Sequence, residues 1–293
     1  MEGAHLVSQP RPETLTPEGV DLEHPNVARV YDFYLGGSAN YAIDRVFAEK
    51  ALERYPFVRP AAMANRLFLH RVVRYLAKRG IRQFIDVGSG VPTMGSTHQV
   101  ADEIVPDAHC VYIDNEAVAV AHSQMLLERE DVTDRHTVIQ ADLREPDLLW
   151  SKIADSGVID LDQPVALLLI AVLHVTQPGP DGEDVGPQSV ARFRDLLPSG
   201  SYLGITHGTD DDVPEYRKRE MSDFGKMYDK SATPVLWRSH ADIEKFFGEL
   251  PMVEPGATWI PLWHPEESSE NAPEIEFDAP NDSVLWAGVA HKP

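Results

Sequence analysis

The residues able to do chemistry in this chain gather around one glycine turn. Phe84-Ile85-Asp86-Val87-Gly88-Ser89-Gly90-Val91-Pro92 reads as a short apolar strand ending in closely spaced glycines. Glycines at the carboxyl end of a strand let the backbone turn tightly and let a ligand approach with no side chain between. Asp86 stands just before the turn, where it can meet an ammonium group. Asp114 ends the next apolar run, Val111-Tyr112-Ile113-Asp114, and a carboxylate there can accept from both hydroxyls of a ribose. Asp142 follows a third run in Gln140-Ala141-Asp142-Leu143, where it can take an adenine amino proton while Leu143 flanks the ring. Each feature alone has a plain structural alternative, a turn that needs positive φ or a turn aspartate. Together they describe a site for a nucleoside.

The turn also discriminates among nucleosides. A dinucleotide fingerprint wants a third glycine at position 93, and the chain has Thr93 there, after Pro92. No Gly-Lys-Ser or Gly-Lys-Thr follows, so a phosphate-cradling loop is excluded. A nucleoside with an amino-acid end and no pyrophosphate fits better, and S-adenosylmethionine is that molecule. The enzymatic alternative is an NAD(P)-dependent oxidoreductase on a related sheet. The other alternative is a non-catalytic protein that only holds the nucleoside. For methyl transfer the catalytic candidate is His174, which follows a fourth apolar run and titrates near neutrality; His207 follows a fifth. Tyr31, Tyr34 and Tyr41 flank Gly36-Gly37; their faces either supply cation–π stabilisation to a sulfonium or pack the amino-terminal helices, and the two glycines either turn over the cofactor or only stop a helix. Asp210-Asp211-Asp212 reads as a solvated turn with a helix cap, so no metal site is expected. Trp237, Trp259 and Trp263 read either as lining a substrate pocket or as core, with core packing preferred.

The surrounding pattern must position these groups. Three helices are expected first, from Pro25 to Tyr34, Ala42 to Tyr55 and Ala61 to Arg79. Strands then alternate with helices. Strands are expected at Gln83–Val87, His109–Ile113, His136–Gln140, Pro164–Leu173 and Tyr202–Thr206, with helices at Pro92–Val105, Glu116–Glu128, around Trp150–Ala154 and at Gln188–Leu197. Such alternation, with one strand apolar on both faces, means a parallel sheet covered on each side. Two further helices, near Val213–Tyr228 and after Ser239, precede strands at Ala257–Trp263 and Ser283–His291.

Composition narrows the partners. The 293 residues carry 26 basic and 47 acidic side chains, a formal net charge of −21. So acidic a surface repels phosphate backbones and anionic membranes, so neither nucleic acid nor membrane is an expected partner. Arg66, His70, Arg71, Arg74, Lys78 and Arg79 form a basic run that reads as the wet face of a helix. The single cysteine, Cys110, rules out an intrachain disulfide and a thiolate zinc cage. Met1-Glu2-Gly3-Ala4-His5 lacks the basic start of a signal peptide, and Val165–Leu173 is too short to span a bilayer. A cytoplasmic protein acting on a small-molecule acceptor is the expectation; the sequence is silent on oligomeric state.

The motifs also carry a family likeness. Phe84-Ile85-Asp86-Val87-Gly88-Ser89-Gly90 resembles the first motif of Rossmann-like S-adenosylmethionine-dependent methyltransferases, Val111-Tyr112-Ile113-Asp114 the second, and Ala141-Asp142-Leu143 the adenine motif. Leu196-Leu197-Pro198-Ser199-Gly200-Ser201-Tyr202-Leu203 is similar to the loop and fifth strand of that fold. More closely, the chain resembles a bacterial subfamily of methyltransferases with no settled substrate. Asn26-Val27-Ala28-Arg29-Val30-Tyr31-Asp32-Phe33-Tyr34-Leu35-Gly36-Gly37 carries that likeness, with Asn40, Asp44, Gly90-Val91-Pro92-Thr93 and Val253-Glu254-Pro255-Gly256. The resemblance implies an α/β sheet of about seven strands, mostly parallel, closed by a C-terminal antiparallel hairpin. It implies a flexible arm over 1–24, a helical lid over 25–80 and a cofactor-binding domain over 81–293. The implied cofactor residues are Asp86, Gly88, Gly90, Asp114, Asn115, Asp142, Leu143, Tyr31, Gly36 and Gly37, with S-adenosylhomocysteine as product.

Overall fold

The computed structural model describes residues 20–229 and 233–293. Up to residue 19 the expected arm lies outside the described residues; Asp21 and His24 are held through their carbonyls by Arg29 (3.0 and 3.2 Å).

Helix α1 (Val27–Tyr34) starts at Asn26, whose side chain accepts from the N–H groups of Ala28 and Arg29. Helices α2 (Ala42–Arg54) and α3 (Val58–Lys78) follow. Pro60, in the first turn of α3, needs no N–H there, so the helix begins ahead of the expected Ala61. Only the end of the basic run, Lys78 and Arg79, is exposed, and His70 is half-buried. Arg66, Arg71 and Arg74 are buried, Arg71 donating to the carbonyls of Trp263 (2.9 Å) and Ile260 (2.6 Å) and Arg74 to Glu103 (2.9 Å). The chain folds back over that helix, and guanidiniums satisfy carbonyls that water would otherwise reach.

The sheet contains β1 (Gln83–Val87), β2 (His109–Asp114), β3 (His136–Gln140), β4 (Ala166–Leu169), β5 (Tyr202–Gly208), β6 (Thr258–Trp259) and β7 (Leu285–His291), in the order β3-β2-β1-β4-β5-β7-β6. Strands β1 to β5 run parallel; β7 is antiparallel to β5 and to β6. Helices α4 (Thr97–Asp102), α5 (Ala117–Glu130), α6 (Pro146–Ser156) and α7 (Gly186–Leu196) make the crossovers, and α8 (Glu215–Tyr228) and α9 (His240–Glu244) precede the closing strands. Side chains alternate across the sheet. Phe84, Ala166 and Leu168 join the α3 side with Phe68, Leu76 and Trp263, whereas Ile85, Val87, Leu167 and Leu169 join Leu149, Ile153 and Phe193 on the other. Strand order turns around between β1 and β4, the place where open α/β sheets leave a crevice.

Three elements are shorter than the sequence pattern predicts. Residues 92–96 are loop, and α4 starts only at Thr97, with Gln99 closing back on the Ser96 N–H (2.9 Å). Strand β4 stops at Leu169 because Ala171 takes a left-handed backbone (φ 59°), strained for a residue with a side chain. Strand β6 stops at Trp259; Pro261 offers no ladder N–H, and Trp263 turns inward against Phe68 and Tyr75 (ring centroids 5.2 and 5.3 Å).

The motif from Asn26 to Asp44 fastens the amino-terminal helices to the sheet. Arg29, 1% exposed, pairs with fully buried Asp44 (2.8 Å) and with Glu116 at the end of β2 (3.0 Å). Asp44 also accepts from the N–H groups of Asn26 and Tyr41, and Asn26 Nδ2 donates to Glu116. A second staple centres on Asp32, which accepts from Ala39 N, Asn40 Nδ2 and the Thr93 hydroxyl. A Cβ at Gly37 would fall 1.8 Å from the Asp32 carboxylate, so only glycine fits there.

Candidate active site

At the carboxyl ends of β1, β2 and β4 lies a cavity of about 610 Å³, within the usual ligand-pocket range of roughly 300–1,000 Å³. Its floor is Asp86, Gly88, Ser89, Gly90, Asp114, Asn115, Asp142 and Leu143, and its far rim is Ala171, Val172 and His174. Helices α1 and α3 roof it with Val27, Tyr31, Asn65, Arg66 and Leu69.

The glycine turn is held from both sides. Gly88 and Ser89 donate their N–H groups to the Ile113 carbonyl (2.8 and 3.1 Å). Gly90 N–H reaches one oxygen of Asp114 (2.8 Å), and Glu116 N–H reaches the other (2.8 Å). Asp114 is 7% exposed, and burial pushes its carboxyl up to about 6 despite those two donors. A carboxylate has roughly four acceptor sites, so acceptor capacity remains for ribose hydroxyls. Burial also raises the Asp86 carboxyl, which takes one hydrogen bond from Thr97 (2.6 Å) and is countered by the charge of Arg66. Asp142 is differently placed. Burial opposes its ionisation, but Arg144 outweighs burial by gripping both carboxylate oxygens (2.9 and 3.0 Å from Nε), leaving little room for an adenine amino group while Arg144 stays.

The cavity wall carries unspent polar atoms. Ser89 Oγ, Asn65 Oδ1 and His174 Nδ1 are buried and find no hydrogen-bond partner among the described residues. Burial first, then the nearby Arg238 charge, lowers His174 to about 4, so its imidazole is neutral at physiological pH and a weaker base than a free imidazole. His207 is not available for chemistry. Its Nδ1 faces the Gly208 carbonyl (2.7 Å) and its Nε2 receives Arg238, while Arg238 also holds the Leu173 carbonyl (2.9 Å) and Asp184. The pair fixes the chain on which His174 stands.

Of the candidates, Asp86, Gly88, Gly90, Asp114, Asn115, Asp142, Leu143, Tyr31 and His174 are brought to the cavity. Gly36 and Gly37 are not among its lining residues; they serve the Asp32 staple instead. Tyr34 borders a neighbouring cavity, and Tyr41 packs beneath Arg29 (5.3 Å). The acidic turn does not cap the helix after it: α8 starts from Pro214 with no side-chain cap, α9 is capped by Ser239 as expected, and Asp211 instead accepts from the N–H of His240 at the start of α9 (2.7 Å).

The donor set fits an amino-acid-bearing nucleoside. Arg66, 7% exposed, and Asp86, 3% exposed, share one wall and complement a carboxylate and an ammonium. A pyrophosphate would instead face two buried carboxylates, Asp86 and Asp114. It would also lack a helix terminus, since residues 91–96 separate the glycines from α4. A family model described as S-adenosyl methyltransferase matches residues 13–293. The chain belongs to the S-adenosyl methyltransferase family. This methyltransferase is similar to a protein from Thermobifida fusca YX whose crystal structure bears a provisional methyltransferase assignment. The two are 33% identical over 94% of this chain and 98% of the other, with a TM-score of 0.80. A DUF574 family protein from Streptomyces avermitilis MA-4680 is 32% identical over 92% and 98% of the two chains, TM-score 0.81. The S-adenosylmethionine-dependent methyltransferase SibL aligns at 12% identity over 89% of this chain and 62% of its own; its TM-score of 0.51 speaks to the fold alone. Among curated proteins, none matches. S-adenosylmethionine is the methyltransferase's cofactor, and among the described residues no helix is long and apolar enough to cross a membrane.

Sequence reasoning passed over several lining residues of the methyltransferase. Asn65 and Arg66 lie on a helix whose amphipathic pattern says nothing of a ligand. Ala171 and Val172 look like the tail of an apolar strand. Trp237, read as core, lines the neighbouring cavity.

Proposed function

We propose that the methyltransferase passes the S-adenosylmethionine methyl group to a small-molecule acceptor, with His174 taking the acceptor's proton. The observation that carries this reading is the far end of the cleft. Beside His174 it adjoins a partly open side cavity of about 90 Å³ lined by side chains of α1, α3 and α8 and by Val235, Trp237, Val284 and Leu285, room for part of a small molecule.

S-adenosylmethionine supplies an electrophilic methyl on a sulfonium, whose carbon–sulfur electron pair returns to sulfur as the acceptor's lone pair takes the methyl. Asp86 and Arg66 hold the ammonium and carboxylate of the cofactor's amino-acid end. Asp114 accepts from the ribose, with Asn115 beside it, and Leu143 flanks the base; Asp142 reaches the adenine amino group once Arg144 moves off. Helices α1 to α3 act as the lid, and Tyr31 faces the cleft from it. The neutral imidazole of His174 accepts the proton released by the acceptor. A cytoplasmic location goes with this reading, supported by a lone, buried cysteine, Cys110.

With tritiated S-adenosylmethionine and a cell extract, label is expected in the fraction below about 1 kDa. His174→Ala is expected to cut that transfer by about 10²–10⁴-fold, the usual span for a general base, while S-adenosylhomocysteine binds as in wild type. Label in protein or nucleic acid, or full transfer by the variant, would contradict the reading.

Binding should also follow pH. Asp114 is raised to about 6 in the free protein, and ribose hydroxyls favour its ionised form, so binding expels a proton below that pH. Asp86, also raised, must ionise to meet an ammonium, which acts in the same direction. S-adenosylhomocysteine affinity, by calorimetry, is expected to be level above about pH 7 and to fall as pH drops through 6. An unchanged affinity from pH 5 to 7.5 would remove both carboxylates from the site.

A further inference from the structure

We infer that the acceptor is an uncharged small molecule carrying an O–H or N–H group beside a compact aliphatic arm, and that the arm enters the side cavity while Asn65 receives the O–H or N–H. This rests on the methyltransferase reading above and adds the class of substrate.

Three observations support it. The side cavity and the cofactor cleft meet at Tyr31, Asn65, Ala171 and His174, which line both. Beyond that mouth the walls are Tyr34, Phe57, Ala61, Ala62, Phe224 and Trp237, with no charged side chain lining the cavity among the described residues. The Tyr34 and Tyr228 hydroxyls bond each other (3.0 Å), so the Tyr34 hydroxyl is already engaged. An ionised arm would lose its hydration there without compensation.

At the mouth the chain offers an unmatched acceptor. Asn65 is 2% exposed, and its amide orientation is fixed by a chain of donors. Tyr31 donates its hydroxyl proton to the Ala62 carbonyl (3.0 Å), and the Tyr31 oxygen then accepts from Asn65 Nδ2 (3.0 Å). Asn65 Oδ1 is therefore left as an unmatched buried acceptor, on a residue that lines both cavities together with His174, whose Nδ1 is also unmatched. A buried acceptor without a partner is costly, and a ligand that brings a donor removes the cost. The hydrogen bond to Asn65 Oδ1 orients the acceptor's oxygen or nitrogen before reaction; the same hydrogen turns to His174 and leaves as its proton as the methyl is taken up.

Volume sets the size of the arm. A dry cavity of roughly 150 Å³ admits a benzene ring, and a water takes a share of about 30 Å³ in the liquid. The 90 Å³ here suits an isopropyl or isobutyl group and not a whole ring.

The test uses the full chain saturated with S-adenosylhomocysteine and two probes, 2-methyl-1-propanol and its methyl ether, which differ in the hydrogen-bond donor. Ligand-observed NMR is expected to show the alcohol binding at least fivefold more tightly than the ether. Asn65→Leu should erase that preference. Ala61→Leu, on the side-cavity wall and away from the cleft, should weaken alcohol binding more than tenfold and leave S-adenosylhomocysteine affinity within twofold. Val58→Phe plugs the same space should Ala61→Leu fail to fold, and the alcohol–ether comparison needs no variant. Equal binding of alcohol and ether, or undiminished alcohol binding in a folded plugged variant, would overturn the inference alone. Failure of the wild-type protein to bind S-adenosylhomocysteine would overturn the functional reading beneath it.

Discussion

Gly88→Val is expected to abolish detectable S-adenosylhomocysteine binding and to destabilise the fold by about 2–6 kcal/mol, summing backbone strain and overpacking of about 1–3 kcal/mol each. Gly88 sits at φ +69°, where a side chain is strained whatever surrounds it. A Cβ there would also lie 2.4 Å from Val172 Cγ2, so the steric conflict is with the β4 loop rather than with the ligand. That loop carries His174, and any shift of Val172 is passed along it. Chemical denaturation of Gly88→Ala, Val172→Ala and the double variant separates the terms. Val172→Ala removes the 2.4 Å contact but keeps the Val172 Cβ at 2.8 Å, so it should recover only part of the packing loss of Gly88→Ala and leave the backbone part. Wild-type stability and affinity in Gly88→Val would show that the turn tolerates a side chain and does not shape the site.

Arg29→Ala is expected to cost about 3–5 kcal/mol, the penalty for stranding one partner of a buried ion pair. Arg29 and Asp44 are both essentially inaccessible, and removing the guanidinium leaves Asp44 with only the N–H groups of Asn26 and Tyr41. It also removes one of the two donors to Glu116, which keeps Asn26, and frees the carbonyls of Asp21 and His24. Because Asn26, Val27 and Tyr31 line the cleft, the folded fraction should bind S-adenosylhomocysteine more weakly as well. Urea denaturation measures the first effect and calorimetry the second. A loss below about 1 kcal/mol would mean that the pair behaves like a surface salt bridge and does not anchor the helices.

What could be read in the sequence follows from how local each signal is. Strands β1 and β3 begin and end where apolar alternation and flanking polar residues put them, and the glycine turn with Asp114 needs only neighbours in sequence and the adjacent strand. The likeness in Asn26–Gly37 was legible as a motif but not in its use. The pairing of Arg29 with Glu116 and of Asp32 with Thr93 spans 87 and 61 residues, and no period or spacing reports it. Gly36 and Gly37 looked like ligand glycines for that reason. Strand β4 was overestimated because apolarity continues to Leu173, whereas the backbone turns at Ala171. The burial of Arg66 and Arg71 was hidden because a basic stripe on an amphipathic helix ordinarily faces water, and only the return of residues 260–263 over α3 covers Arg71.

The central claim is that Asp86 and Asp114 hold an amino-acid-bearing adenosine at the crevice between β1 and β4. Calorimetric titration of S-adenosylhomocysteine and of NAD⁺ into wild type and Asp114→Ala tests it most directly. The expected result is saturable one-to-one binding of S-adenosylhomocysteine alone, weakened in Asp114→Ala by about 1–3 kcal/mol, roughly five- to 150-fold. Preference for NAD⁺, or undiminished S-adenosylhomocysteine affinity in Asp114→Ala, would contradict it.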